Sequence, residues 1–439
     1  MRLPCLFLAL SLLAHPLQAE TVPVSPGEAA LRRAIAAASP GDVLRLTAGL
    51  YGPAVIDKPL TLEGAGAAVI DGGHRGTVLR VTADDVTLRG LIVQGSGARN
   101  EDIDAGIKVI KGVARTRIEG NLLRDNMHGI DFHGAIDALA RGNTVLGRRD
   151  AQMNARGNGF YVWNAPGVVI EDNVVRWGRD GIFSNTSRKD IFRRNRFSDL
   201  RFAIHYMYTN DSVVADNISI GNHLGFAMMY SRRLQVTGNI SLSDRDHGVM
   251  LNSTNDADVI GNLVIGAAKC TFLYDANKNL IAGNRFEGCG IGIHYTAGSA
   301  RNAVTGNAFI GNRTQVKYVG SRDLEWSLEG RGNYWSDLAA FDLNGDGRAD
   351  QAFRPNDLMD HILWSQPAAA LLTGAPVVQL IRWSQASFPA TLPGGILDSH
   401  PLMAPIDIPL PPDLAARAAE PVRRWAEETG DDAEPDLSH

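Results

Sequence analysis

The sequence predicts an all-β fold, a right-handed parallel β-helix of about 22 residues per coil, with a helical cap at its N-terminus and a partly helical segment at its C-terminus. Three observations carry this expectation. Asparagine, usually after Gly or Asp, recurs before an apolar pair at Asn121, Asn143, Asn173, Asn195, Asn217, Asn239, Asn262, Asn284, Asn307 and Asn333, in steps of 22, 30, 22, 22, 22, 23, 22, 23 and 26 residues. Each step holds two or three short strand-like runs with no room for a helix, and the fixed leucines of a leucine-rich repeat are missing. Finally, 439 residues exceed the usual size of one core, while 46 glycines and 21% charged residues favour one elongated repeat domain over several compact ones.

Taken in order, residues 1–19 read as a secretory signal, with one arginine, a short apolar run and a small residue at Ala19. The mature chain is therefore expected outside the cytosol. Residues 20–340 form the β-helix with its cap. Pro26 to Ala38 reads as a short amphipathic helix that closes the open end of the solenoid, where strand edges would invite aggregation. Asparagines stacked at a turn tolerate a left-handed bend and can hydrogen-bond from coil to coil. The 30-residue step holds an insertion, Gly147 to Asn158, which should project as a loop. Residues 341–353 form an Asp-rich loop and 354–410 a capping or docking segment. Residues 411–439 form a tail expected to be mostly mobile, with a short helix over Ala415 to Glu428. Cys5 leaves with the signal. An oxidising compartment permits a disulfide between Cys270 and Cys289, whereas the repeat register argues mildly against it by placing them in different columns.

A formal net charge of −5 gives no basic footprint for nucleic acid. The chemistry concentrates instead in the five-residue strands that begin eight residues after most of the asparagines. In register these are GIDFH from Gly129, GFYVW from Gly159, GIFSN from Gly181, AIHYM from Ala203, GFAMM from Gly225, GVMLN from Gly248, CTFLY from Cys270 and GIHYT from Gly292. Second and fourth positions point inward, and third and fifth outward. The outward third column reads Asp131, Tyr161, Phe183, His205, Ala227, Met250, Phe272, His294. The fifth reads His133, Trp163, Asn185, Met207, Met229, Asn252, Tyr274, Thr296. Such a face wants to be covered or to bind something.

Adjacent coils lie about 4.8 Å apart and alternate residues along a strand about 6.7 Å apart. His205 and Met207 then sit side by side, Met229 stacks on Met207, and Met250 lies two coils from His205 across Ala227. With His247 at a nearby strand entry, this makes a hollow ringed by imidazole and thioether. That is the soft ligand set of Cu(I). The other reading is a dry surface beneath the C-terminal segment or a partner protein. A second metal candidate is FDLNGDGRAD, where Asp342, Asn344, Asp346 and Asp350 have the spacing of a Ca²⁺ loop, or of a plain Asx-rich turn.

The cap with SPGD, the GN-spaced coils, GNYWSD leading into DLNGDGRAD, and the later RPNDLMDHILW, QLIRWSQASFP and GGILDSHPLM together resemble the NosD family of nitrous oxide reductase maturation proteins, over roughly Thr21 to Pro405. The resemblance implies a periplasmic β-helix joined to an ABC transporter made of a membrane subunit and its ATPase. It also implies Cu(I) received from a small lipoprotein chaperone of the NosL type and passed to apo-nitrous oxide reductase. The alternative is an enzyme of the alginate epimerase or lyase type, in which Asp131 and His133 share a face with Tyr161 one coil away. Phe132 stands where the epimerase motif has proline, and the aromatic and methionine-rich groove suits a polyanion poorly.

Overall fold

The computed structural model describes residues 19–99, 101–150, 152–318, 320–356, 360, 362, 364, 375–387 and 395–418. The coils form as the spacing requires. From Arg117 onward most coils have one broad strand and two strands of three residues, such as Leu224–Met229 with Val213–Ala215 and Ile218–Ile220. Among the described residues the broad strands build a 12-stranded sheet from Ala54–Ile56 to Thr314–Tyr318. All its pairings are parallel; Ile204 lies opposite Phe226 and Tyr206 opposite Met228. The second and fourth positions fill the interior: Ile204, Tyr206, Phe226, Met228, Val249 and Leu251 are all buried. A parallel sheet curled on itself leaves edges only at its two ends.

The asparagine ladder runs down one inner corner. Asn217 is typical. Its Oδ1 accepts from the amide and the Nδ2 of Asn195, both at 3.0 Å, and its own Nδ2 donates to Phe192 O at 2.8 Å and to Asn239 Oδ1 at 3.0 Å. The expected coil-to-coil bonding is present. The left-handed bend falls elsewhere, on the residue before every ladder asparagine but Asn333: Gly120, Gly142, Asp172, Arg194, Asp216, Gly238, Gly261, Gly283 and Gly306 all have positive φ. The amide side chain serves the ladder, and its neighbour turns the chain.

At the N-terminal end, helix α1 (Ala30–Ala37) buries Leu31 and Ile35 against the first coil. Lys58 Nζ donates to the carbonyls of Ile35, Ala36 and Ala38 at 3.0, 2.9 and 2.8 Å, satisfying the helix C-terminus. At the far end the ladder finishes on a carboxylate. Asp398 Oδ2 accepts from the amide of Asn333 at 2.7 Å and from Trp335 Nε1 at 2.9 Å. Helix α2 (Pro376–Ser387) follows the coils, and α3 (Pro412–Ala418) packs on their flank. There Leu414 joins Ile240, Leu242, Leu263 and Ile265, with Ile408 and Leu410 packed beside them. The stretch expected to be mobile from about Pro411 is thus folded onto the coils through Ala418. The remainder of the tail, residues 1–18 of the signal and most of LMDHILW lie outside the described residues.

Cys270 and Cys289 are joined, with Cα atoms 5.7 Å apart, against the register argument. Their columns differ, but they meet across a corner. Cys270 occupies the column that holds glycine in most coils, and a Cβ built in that column points at the corner residue of the next coil. At Gly225 it would meet Asp244, and at Gly292 it would meet Asn312. Cys289 is that corner residue for Cys270.

Candidate functional site

Strict alternation fails at the start of each broad strand, and this shapes the site. Ala203 and Cys270 at the first position lie in the interior core, and their successors Ile204 and Thr271 at the second are buried too, whereas Leu224, one residue earlier than the first position, packs with Ala227, Met229 and Met250. Two successive residues therefore face inward, and the strand-entry residue turns out onto the same face as the third and fifth positions. The entry column reads Asp180, Phe202, Leu224, His247 and Lys269, aligned by sheet pairing.

The structure places His205, Met207, Met229 and Met250 on one face in the register that the spacing gave. His205 pairs with Ala227 and Met207 with Met229. Ala227 in turn pairs with Met250. Met207, Phe202 and Phe272 pack against the cluster of Leu224, Ala227, Met229 and Met250. The face is covered: Met250 is 2% exposed, while Met229 and His205 are each 6% exposed. His205 lies between Phe183, at 4.9 Å between ring centroids, and the edge-on ring of Phe202 at 4.8 Å. Its Nε2 is buried with no hydrogen-bond partner among the described residues.

His247 joins the same face through the entry column but turns toward Phe272, with ring centroids 5.1 Å apart. Its Nδ1 is 3.1 Å from Asp246 Oδ2 but outside hydrogen-bond alignment, and both ring nitrogens lack a directed partner among the described residues. Burial holds its pKa below the ordinary histidine value. The neutral imidazole that a soft metal needs is thereby favoured.

Sequence reading missed Asp180, Arg201 and Lys108. Asp180 is fully buried one coil before His205. Its Oδ1 accepts from Arg201 Nε at 2.9 Å and its Oδ2 from Arg201 Nη2 at 2.7 Å, and Oδ2 lies 3.3 Å from His205 Nδ1. Burial works to raise its pKa, but the His205 bond and the Arg201 charge hold it well below the usual carboxylate range. The available signal was an aspartate directly before the strand glycine, hidden by the assumption of regular alternation.

Asp131 is also fully buried, 3.1 Å from Lys108 Nζ, and burial raises its pKa to about 7. His133 stacks on Trp163 at 4.5 Å. The pair singled out for the enzyme alternative thus has its carboxylate sealed from solvent. At the far end, Asp342 accepts from the amides of Gly345, Asp346 and Gly347 at 2.7, 3.1 and 2.8 Å. Asn344 takes the Asp346 amide, Asp346 that of Arg348, and Asp350 that of Leu343. These side-chain oxygens accept from the loop's own backbone amides, as in an Asx turn. Among the described residues no three His, Cys, Asp or Glu side chains converge as an ion site.

Against known proteins, the chain is 39% identical over 373 residues to a protein of Pseudomonas aeruginosa named "Probable ABC transporter binding protein NosD", covering 82% of this chain and 87% of that one. The chain belongs to the NosD family. A NosD of Stutzerimonas stutzeri with the same name is 37% identical over 375 residues, covering 82% of this chain and 86% of its own length. The NosD family model, described as "Periplasmic copper-binding protein (NosD)", matches residues 141–340, the coils that carry His205, Met207, Met229, Met250 and His247. Solved structures share the fold alone. The surface adhesin PfbA of Streptococcus pneumoniae has a TM-score of 0.54 at 12% identity, covering 67% of this chain and 88% of its own. The A-module of the Azotobacter vinelandii mannuronan C-5 epimerase AlgE6 has 0.47 at 17%, covering 66% and 90%.

Proposed function

We propose that this chain is a periplasmic accessory of an ABC transporter, and that it accepts Cu(I) from a chaperone of the NosL type and delivers it to nitrous oxide reductase for copper-cluster assembly. The observation that carries the reading is the covered imidazole and thioether face. His205 has a buried Nε2 with no hydrogen-bond partner among the described residues, and it shares this face with Met207, Met229 and Met250, with the small Ala227 between His205 and Met250 in register. Thioether and neutral imidazole favour Cu(I) over oxygen-seeking ions, and the copper-binding description of the family supports the same cargo. Neutral, soft ligands suit a carrier that must release what it takes. No described helix is long and apolar enough to cross a membrane. In this proposal the transporter's membrane subunit and its ATPase supply passage and energy, and the chain itself performs no chemical conversion.

Anaerobic competition titration tests this. The parent should bind at least one Cu(I), and the triple variant His205→Ala, Met207→Ala, Met229→Ala should lose it. Equal binding by both overturns the site, and no binding by the parent overturns the cargo.

A further inference from the structure

We propose that Asp180 is the positioning residue of this face: it holds the His205 proton on Nδ1 and so leaves the Nε2 lone pair as the nitrogen offered to the metal. The proposal rests on the copper reading above. A neutral imidazole carries its proton on one nitrogen, and the partner of that nitrogen decides which. Here the partner is a buried carboxylate 3.3 Å from Nδ1, and the opposite nitrogen, Nε2, is buried with nothing to bond among the described residues.

Three features make the arrangement a built one. The carboxylate is itself held by the two-pronged grip of Arg201, with Arg179 Nε 3.8 Å away, so that it stays charged and stationary. Arg201 also lies over the Phe202 ring, 4.4 Å from its centroid, which ties the clamp to the ring that packs edge-on against His205. On another side, Phe183 restricts rotation of the imidazole about its side-chain bonds. A ring so confined, with one nitrogen committed, presents the other in a fixed direction. A carboxylate behind a ligating histidine also raises the basicity of the free nitrogen. The entry-column geometry is what makes the contact, since an inward-facing Asp180 would have no route to the third column.

The test uses the full mature chain without metal and then with Cu(I). Nitrogen-15 spectra of the labelled, metal-free parent should show His205 protonated at Nδ1 with a lone pair on Nε2; protonation at Nε2 overturns the proposal without any variant. In Asp180→Asn, whose side chain can donate as well as accept, the tautomer should shift or mix, and the Cu(I) affinity should fall about 10- to 100-fold. In Asp180→Glu, which keeps the charge, the tautomer and part of the affinity should return. Unchanged Cu(I) affinity in Asp180→Asn overturns the positioning role while leaving the copper reading standing. A parent that binds no Cu(I) overturns the copper reading and, with it, this role.

Discussion

Asn217 shows how much a single side chain does here. It makes four hydrogen bonds in a dry corner, two as acceptor and two as donor. Truncation in Asn217→Ala leaves the Asn195 amide without its acceptor and removes one donor from the Phe192 carbonyl in a buried corner, so chemical denaturation should show a loss of about 3 kcal/mol. Asp190 is the opposite case, a buried carboxyl in a column where other coils use neutral groups. It accepts from the Val168 amide at 3.2 Å, and burial raises its pKa from 3.8 to about 8. Between about pH 4 and pH 8 the folded chain holds a proton that the unfolded chain has lost, so this group's contribution to stability falls as pH rises through that window. Asp190→Asn can keep the hydrogen bond and removes the titration. The melting temperature of the variant should match the parent near pH 4 and exceed it by a few degrees near pH 8, as scanning calorimetry across that range will show.

The element that matters most is the broad strand with its two consecutive inward residues. It places Asp180, Leu224 and His247 on the face that also carries His205 and the methionines, and it aims the first-position side chain at the next coil's corner. The disulfide follows from the second effect. It closes a loop of sequence separation 19, so reduction, or Cys270→Ala with Cys289→Ala, should lower stability by about 3 kcal/mol. Intact mass under non-reducing conditions, before and after alkylation, tells the bonded from the free form. Substitution should leave Cu(I) binding intact, because both sulfurs are committed to the interior.

On the scale of the whole molecule, the solenoid is sealed at both ends and strapped on one flank. Asp398, far along the chain, terminates the asparagine ladder, and the strap through Ile408, Leu410 and Leu414 covers Ile218, Ile220, Ile240, Leu242, Leu263 and Ile265. Leu414→Asp should release α3 and expose that apolar strip. Fluorescence of a hydrophobic dye should rise severalfold, while far-ultraviolet circular dichroism, dominated by the coils, stays unchanged.

The coil period, the inward and outward columns, the N-terminal cap and the His205, Met207, Met229, Met250 grouping were all legible in the sequence. Each depends on local spacing, which a repeat turns directly into position. The bond between Cys270 and Cys289, the outward turn of Asp180, and Asp398 as the end of the ladder were not. Each of those requires side chains from separate coils or distant segments to meet, and where they meet is decided by the bends between strands and by the packing of the C-terminal segments, which no residue spacing encodes.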